Sequence, residues 1–139
     1  MIYGIGTDLC DIRRLQTLAN RPNGPGLPRF SEKILGEQER ALFEARQQAR
    51  ADAGLRFLGT RFAAKEALGK ALGLGMRAPM RWHDCQVLPQ QQGRPGFDFK
   101  GELAAWLQAH QLRAWVSLSD ERHYALAFVV VEHDFAKPA

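Results

Sequence analysis

The sequence has 139 residues, a length that suits one domain over 1–139 with a substantial core. It is 45% apolar and 24% charged, as an ordinary globular protein is, and no apolar run approaches the roughly 20 residues of a membrane span. The net charge of +4 is uneven, +6 over residues 1–81 and −2 over residues 82–139. The basic half points to an anionic partner, whether nucleic acid, nucleotide or acidic protein.

The opening stretch "MIYGIGTDLCD" has no basic start and meets an acid early, which argues against a signal peptide. Its Ile2, Tyr3 and Ile5 favour a buried strand, while Gly4 and Gly6 allow another backbone to come close. Asp8 is expected where that strand ends. Asp11 is placed to cap a helix that buries Ile12, Leu15 and Leu18 and leaves Arg13 and Arg14 outside. "NRPNGPGLP", residues 20–28, reads as a loop, and "FSEKIL" as a short helical turn. Gly36 opens a helix over about 37–53, acidic at its start and ended by Gly54. A second helix follows over about 55–72, stopped by Gly73 and Gly75. Beyond it, "DCQVLP" and "GFDFKG" alternate as strands around a turn, and "ELAAWLQAH" has helical spacing. "AWVSLS" alternates again, "DERH" turns the chain, and "YALAFVVV" is apolar throughout, as a central strand covered on both faces would be. The fold class is therefore α+β, with helices mainly in the first half and a largely antiparallel sheet in the second. Cys10 and Cys85 match no metal spacing and read as reduced thiols of a cytoplasmic protein.

The 55–72 helix carries charges that its pattern does not explain. Leu58, Phe62, Leu68 and Leu72 share one broad side with Lys65 in its middle, and alanines cover much of the other. A helix apolar nearly all round is buried, so its charges point into seams or clefts. Glu66 and Lys70 have the favourable order for a surface ion pair, worth only about 0.2–0.5 kcal/mol. Yet Arg61 and Lys65 repel each other unless an anion lies near, and Gly69 costs roughly 1 kcal/mol relative to Ala inside a helix. A phosphate would satisfy the cations, and Glu66 with a strand-end acid, Asp8, would hold magnesium against it. Magnesium takes one or two protein carboxylates and leaves its other positions to water and phosphate oxygens.

Together, "GIGTDLCDIRRL" and "FLGTRFAAKEALGKALGLG" resemble the motifs of the holo-[acyl-carrier-protein] synthase family of 4′-phosphopantetheinyl transferases. The likeness continues through "GRPGFDF" and "VSLSDERHYALAFVVVE", nearly the whole chain. The resemblance implies a magnesium-dependent transfer of the phosphopantetheine arm of coenzyme A to a serine of apo acyl carrier protein, in bacterial fatty-acid synthesis. It implies adenosine 3′,5′-bisphosphate as the other product, and a homotrimer with active sites at subunit interfaces. On this pattern the metal carboxylates fall on Asp8 and Glu66, and Lys70 meets the coenzyme A phosphates; Gly69 is read as the space that lets the ligand approach, with Gly73 beside it in the cofactor site. The basic first helix, which docks the acidic carrier protein, falls on Arg14 and Arg21, with Arg13 a neighbour. Arg61 and Lys65 stay open between a contact to the nucleotide 3′-phosphate and structural ion pairs. Many members read H-V-S-x-S-H in the late strand, where this chain has Trp115 and Asp120; Trp115 is expected in the core. His123 reads as a turn residue, and His83 and His110 as surface residues. A nucleic-acid-binding module is the competing class, but no helix-turn-helix pattern, zinc spacing or basic stretch with interleaved aromatics supports it. Neither nucleic acid nor membrane is an expected partner.

Overall fold

The computed structural model describes residues 1–24 and 26–135; Pro25, in the expected 20–28 loop, and residues 136–139 lie outside the described residues. Strand β1 (Ile2–Asp11) leads directly into helix α1 (Ile12–Ala19), then α2 (Gly26–Ile34), α3 (Glu37–Ala49) and the long α4 (Ala51–Leu72). The hairpin β2 (Cys85–Pro89) and β3 (Pro95–Phe99) follows, then α5 (Gly101–Ala109), β4 (Leu112–Asp120) and β5 (Tyr124–His133). Strands β1, β5 and β4 form an antiparallel sheet with β5 in the middle, and β2–β3 pair separately. No described helix is long and apolar enough to cross a membrane.

The α+β expectation holds, with boundary differences that have physical causes. Gly26, Leu27 and Pro28 belong to α2 rather than to a loop. Proline is tolerated in the first helical turn, where its missing N–H would lack a partner anyway, and Leu27 is buried. The break between α3 and α4 falls at Arg50, not Gly54. Arg50 takes an extended conformation (φ −155°, ψ 132°) between the two helices and pairs with Asp52 at 2.9 Å. Gly54 instead lies buried inside α4, where a Cβ would come within 2.9 Å of the Gln47 side chain on α3. It marks a helix crossing, not a helix end.

Helix α4 is the axis of the core. It packs against β1, β5 and β4, and on its other flanks against α3, α1, α2 and β2. Leu55, Phe57, Leu58, Ala63, Ala64, Ala67, Leu68, Ala71 and Leu72 are all buried, as the nearly all-round apolar pattern requires. Each fully buried Leu or Phe contributes about 1.5–3 kcal/mol relative to exposure.

The strand that meets α4 most closely is β1, and glycines make the contact. A Cβ on Gly4 would lie 2.0 Å from the Ala71 carbonyl oxygen, and one on Gly6 2.0 Å from that of Ala67. Two strand residues advance about 6.6 Å and four helix residues about 6 Å, so the two backbones run in step. The inward face of β1 is therefore Gly4, Gly6, Asp8 and Cys10, while Ile5, Thr7 and Leu9 point outward and are exposed. This reverses the expected burial of Ile2, Tyr3 and Ile5: where β1 crosses the α4 backbone, at Gly4 and Gly6, no side chain fits, so Tyr3 and Ile5 point the other way, and Ile2 lies before a register shift in the β1–β5 pairing.

The same alternation corrects the reading of β5. Its Ala125, Ala127, Val129 and Val131 face α4, but Leu126 and Phe128 are 43% and 42% exposed. The register sets Ile5, Val130 and Trp115 in one row and Leu9, Leu126 and Ser119 in another. The sheet thus has one covered face and one apolar face that the described residues leave open.

Candidate functional site

The close seating of β1 on α4 carries Asp8 to the face of α4 that bears Glu66 and Lys70. Asp8 is not at the strand end, since β1 continues to Asp11; it is the inward residue that follows Gly4 and Gly6. Lys70 Nζ donates to Asp8 Oδ1 at 3.1 Å and to the Thr7 carbonyl at 2.9 Å. The Asp8 side chain is only 18% exposed and that of Lys70 54%. The Glu66 carboxyl is held above its ordinary pKa by partial burial and by the negative charge of Asp8, against the opposing pull of Lys70. Two carboxylates and one ammonium therefore share a small shelf at the protein surface.

A hard divalent cation fits this donor set. Burial and the negative charge of Asp8 disfavour the ionised form of Glu66, a penalty that a divalent cation between the two would relieve. Among the described residues no cluster of three or more His, Cys, Asp or Glu side chains forms a candidate metal site, so these two would leave most positions to water and ligand, as magnesium prefers.

Of the two readings open for Lys65, the structure gives the structural one. Lys65 is fully buried, and Nζ donates to Glu39 Oε1 at 2.6 Å, to the Ile34 carbonyl at 2.6 Å and to the Trp82 carbonyl at 2.8 Å. An ammonium has three donors, so none is left for a nucleotide. Glu39 completes the arrangement, with Oε1 accepting from Gly36 N and Oε2 from Val87 N. Arg61 is likewise drawn into packing. It donates to the Val87 carbonyl at 3.1 Å and to Thr60 Oγ1 at 3.2 Å, and lies 4.0 Å over the Phe57 ring. Burial lowers its pKa to about 10, which leaves it charged at neutral pH.

Gly69 also needs correction. A Cβ there would stand 2.4 Å from the Gly75 carbonyl oxygen, so its missing side chain makes room for the returning chain rather than for a ligand. The amides of Leu74 and Gly75 both donate to the Gly69 carbonyl. Gly73 closes α4 in the left-handed conformation (φ 74°) with open space around it, which favours glycine.

Of the basic residues at the first helix, Arg13 is committed. It donates to both oxygens of Asp11 at 2.9 Å and to the Tyr124 hydroxyl at 2.9 Å. Asp11 caps α1 through the Arg13 amide as expected. Arg14 is exposed on α1, whereas Arg21 lies beyond the Asn20 cap rather than on the helix. Neither enters an ion pair among the described residues. The buried Cys10 thiol is raised first by burial and then by the charge of Asp8, with Arg14 acting in the opposite sense.

Trp115 is not a core residue. It lies on the open sheet face, its Nε1 donating to Glu132 Oε1 at 2.7 Å and the Arg113 guanidinium 4.0 Å over its ring. It borders a groove of about 1060 Å³ with Arg94, Phe97, Phe99 and Gln111, which none of Asp8, Glu66 and Lys70 lines. Asp120 lies 3.9 Å from Arg56. His123 occupies its turn, and His83 and His110 are exposed, as expected. Tyr124 as the anchor of Arg13 had no signal in the sequence. Glu39 had a signal: a lysine in the middle of an apolar face demands an acid, and α3 begins with two.

A family model described as the 4′-phosphopantetheinyl transferase superfamily matches residues 4–129. The chain belongs to this superfamily. It is 53% identical to the holo-[acyl-carrier-protein] synthase of Methylibium petroleiphilum, over 95% of this chain and 97% of that protein. The crystal structure of holo-[acyl-carrier-protein] synthase from Neisseria meningitidis superposes with a TM-score of 0.81 at 35% identity, covering 95% of this chain and 99% of that one. The synthase from Bacillus anthracis, solved in complex with CoA (3′,5′-ADP), superposes at 0.77 and 28% identity, over 96% and 99% of the two chains. The superfamily's fold thus frames the shelf of Asp8, Glu66 and Lys70.

Proposed function

We propose that this chain, working as one domain over 1–139, transfers the 4′-phosphopantetheine moiety of coenzyme A to a serine of apo acyl carrier protein, yielding adenosine 3′,5′-bisphosphate. The observation that carries this reading is the meeting of Asp8, Glu66 and Lys70 where β1 lies on α4, in a chain of the phosphopantetheinyl transferase superfamily. The serine oxygen forms a bond to the phosphorus that bears pantetheine, and the bridging bond to the nucleotide's phosphate breaks. Such transfers depend on positioning and on neutralising charge. Lys70, with Gly73 at the open helix end, contacts the diphosphate and offsets the charge of the leaving nucleotide. The serine proton leaves toward the carboxylates, where Glu66 has the raised basicity. Magnesium bound by Asp8 and Glu66 would supply further neutralisation of the diphosphate.

Arg14 and Arg21 steer an acidic carrier protein toward the site, while Arg13, tied to Asp11 and Tyr124, holds the helix that presents Arg14. The chain acts in the cytoplasm in fatty-acid synthesis; its two free, buried cysteines suit a reducing compartment. It assembles as a homotrimer with interface active sites. One feature supports this: the open apolar face of Ile5, Leu9, Leu126 and Phe128. Exposed apolar patches of this kind mark protein interfaces.

The test is mass spectrometry of apo acyl carrier protein incubated with the chain, coenzyme A and magnesium. The expected product gains one phosphopantetheine, and Asp8→Ala or Glu66→Ala nearly abolishes it. No gain with the unaltered chain refutes the activity, and full rates in both variants refute the site. Arg14→Glu raises the carrier-protein KM with little change in kcat.

A further inference from the structure

We propose that Lys70 is the resident counter-cation of Asp8, and that a divalent cation takes its place only as the diphosphate of coenzyme A gives the ammonium a new partner. This rests on the metal assignment above and adds an order and a coupling to it. The Lys70 ammonium is fixed by two acceptors, Asp8 Oδ1 and the Thr7 carbonyl, and is the cation that pairs with Asp8 among the described residues. It therefore stands against the carboxylate that a metal would use. A cation bound to the Asp8 carboxylate, which magnesium would hold at about 2.0–2.1 Å, stands within a few ångströms of the ammonium on Oδ1 and competes with it for the same negative charge. Like charge opposes joint occupancy as well.

The ammonium has somewhere to go. Its side chain is 54% exposed, on the last turn of α4, and open space surrounds the adjoining Gly73. Swinging outward without an anion strands a cation that has lost two acceptors. Swinging onto a diphosphate replaces them. Metal and diphosphate thus bind with positive coupling, and by linkage each raises the other's affinity by the same factor. Without coenzyme A, the lysine keeps Asp8 paired and the metal weakly held.

The experiment measures Mn²⁺ binding by electron paramagnetic resonance of the free ion, with and without coenzyme A and without carrier protein. Lys70→Met keeps the length of a half-exposed side chain and is checked for an unchanged Tm. It is expected to bind Mn²⁺ about 3- to 10-fold more tightly than the unaltered chain when coenzyme A is absent, the scale of one partly exposed charge pair plus the repulsion it exerts. The tightening of Mn²⁺ by coenzyme A shrinks in the same variant. Lys70→Arg, which keeps a cation on Asp8, stays near the unaltered chain. Equal or weaker Mn²⁺ binding in Lys70→Met, or Lys70→Arg behaving as Lys70→Met does, overturns the exchange while leaving the metal site standing. Unchanged Mn²⁺ binding in Asp8→Asn has a different signature: it removes Asp8 as a ligand, and the exchange with it.

Discussion

Replacing Lys65 by methionine isolates a charge with no solvent exposure. Methionine matches the length of the lysine stem, so packing along α4 is nearly preserved while the ammonium disappears. Three hydrogen bonds go with it, to Glu39, Ile34 and Trp82. Glu39 keeps the amides of Gly36 and Val87 but has no counter-charge, in a place with no exposure at all. Breaking a buried pair from one side costs about 3–5 kcal/mol, a large share of the roughly 5–15 kcal/mol that holds a domain folded. For a chain of this size that is a fall in Tm of about 10–20 °C. Urea denaturation at fixed protein concentration reads it directly. Glu39→Gln added to Lys65→Met removes the stranded charge and recovers part of the loss, so the two changes are less than additive. The KM for coenzyme A stays near its original value in the folded fraction, because Lys65 has no donor to offer a ligand. A stability loss below about 1 kcal/mol, or a tenfold rise in that KM at unchanged stability, would refute the assignment.

Three further outcomes follow from the packing. Gly6→Ala places a Cβ 2.0 Å from the Ala67 carbonyl oxygen, so β1 must lift from α4 at a cost of about 1–3 kcal/mol; kcat falls with it because Asp8 moves, and an unchanged kcat would show that the glycine contact does not position the acid. Phe128→Asp puts a charge in the open sheet face and is expected to reduce the sedimenting species to a single chain with loss of activity; an unchanged mass would remove that face as an interface. Burial pushes the Cys85 thiol up to about 12 and, with the charge of Asp8 adding to burial, the Cys10 thiol up to about 11. Between the ordinary thiol value of 9.0 and those values the native state holds more protons than the unfolded chain, so stability falls as pH rises above 9. At pH 8 neither thiol reacts rapidly with a disulfide reagent unless the chain unfolds, and fast labelling of the native protein at that pH would contradict the burial.

The site residues were legible because their chemistry and spacing are local. Glu66 and Lys70 stand one helical turn apart, and Asp8 follows Gly4 and Gly6 at the strand period that keeps all three on one face. Local rules erred where a residue's reason lies across the fold. Gly54 looks like a helix stop until Gln47 is seen beside it, and Gly69 looks like ligand space until Gly75 returns over it. Trp115 looks like core because tryptophan is large and apolar, yet strand alternation turns it outward with Arg113 on its ring.

By itself, then, the sequence determined the order and type of the elements and the α+β class, and it singled out the proposed trio Asp8, Glu66 and Lys70, since hydrophobic periodicity, glycine placement and charge spacing are properties of short segments. Only the tertiary structure decided which charges are committed to the fold. Lys65 and Glu39 are separated by 26 residues, and nothing in either segment names the other. Their pairing follows from the packing of α3 and β2 against α4, because a buried ammonium must find acceptors wherever the assembled core supplies them.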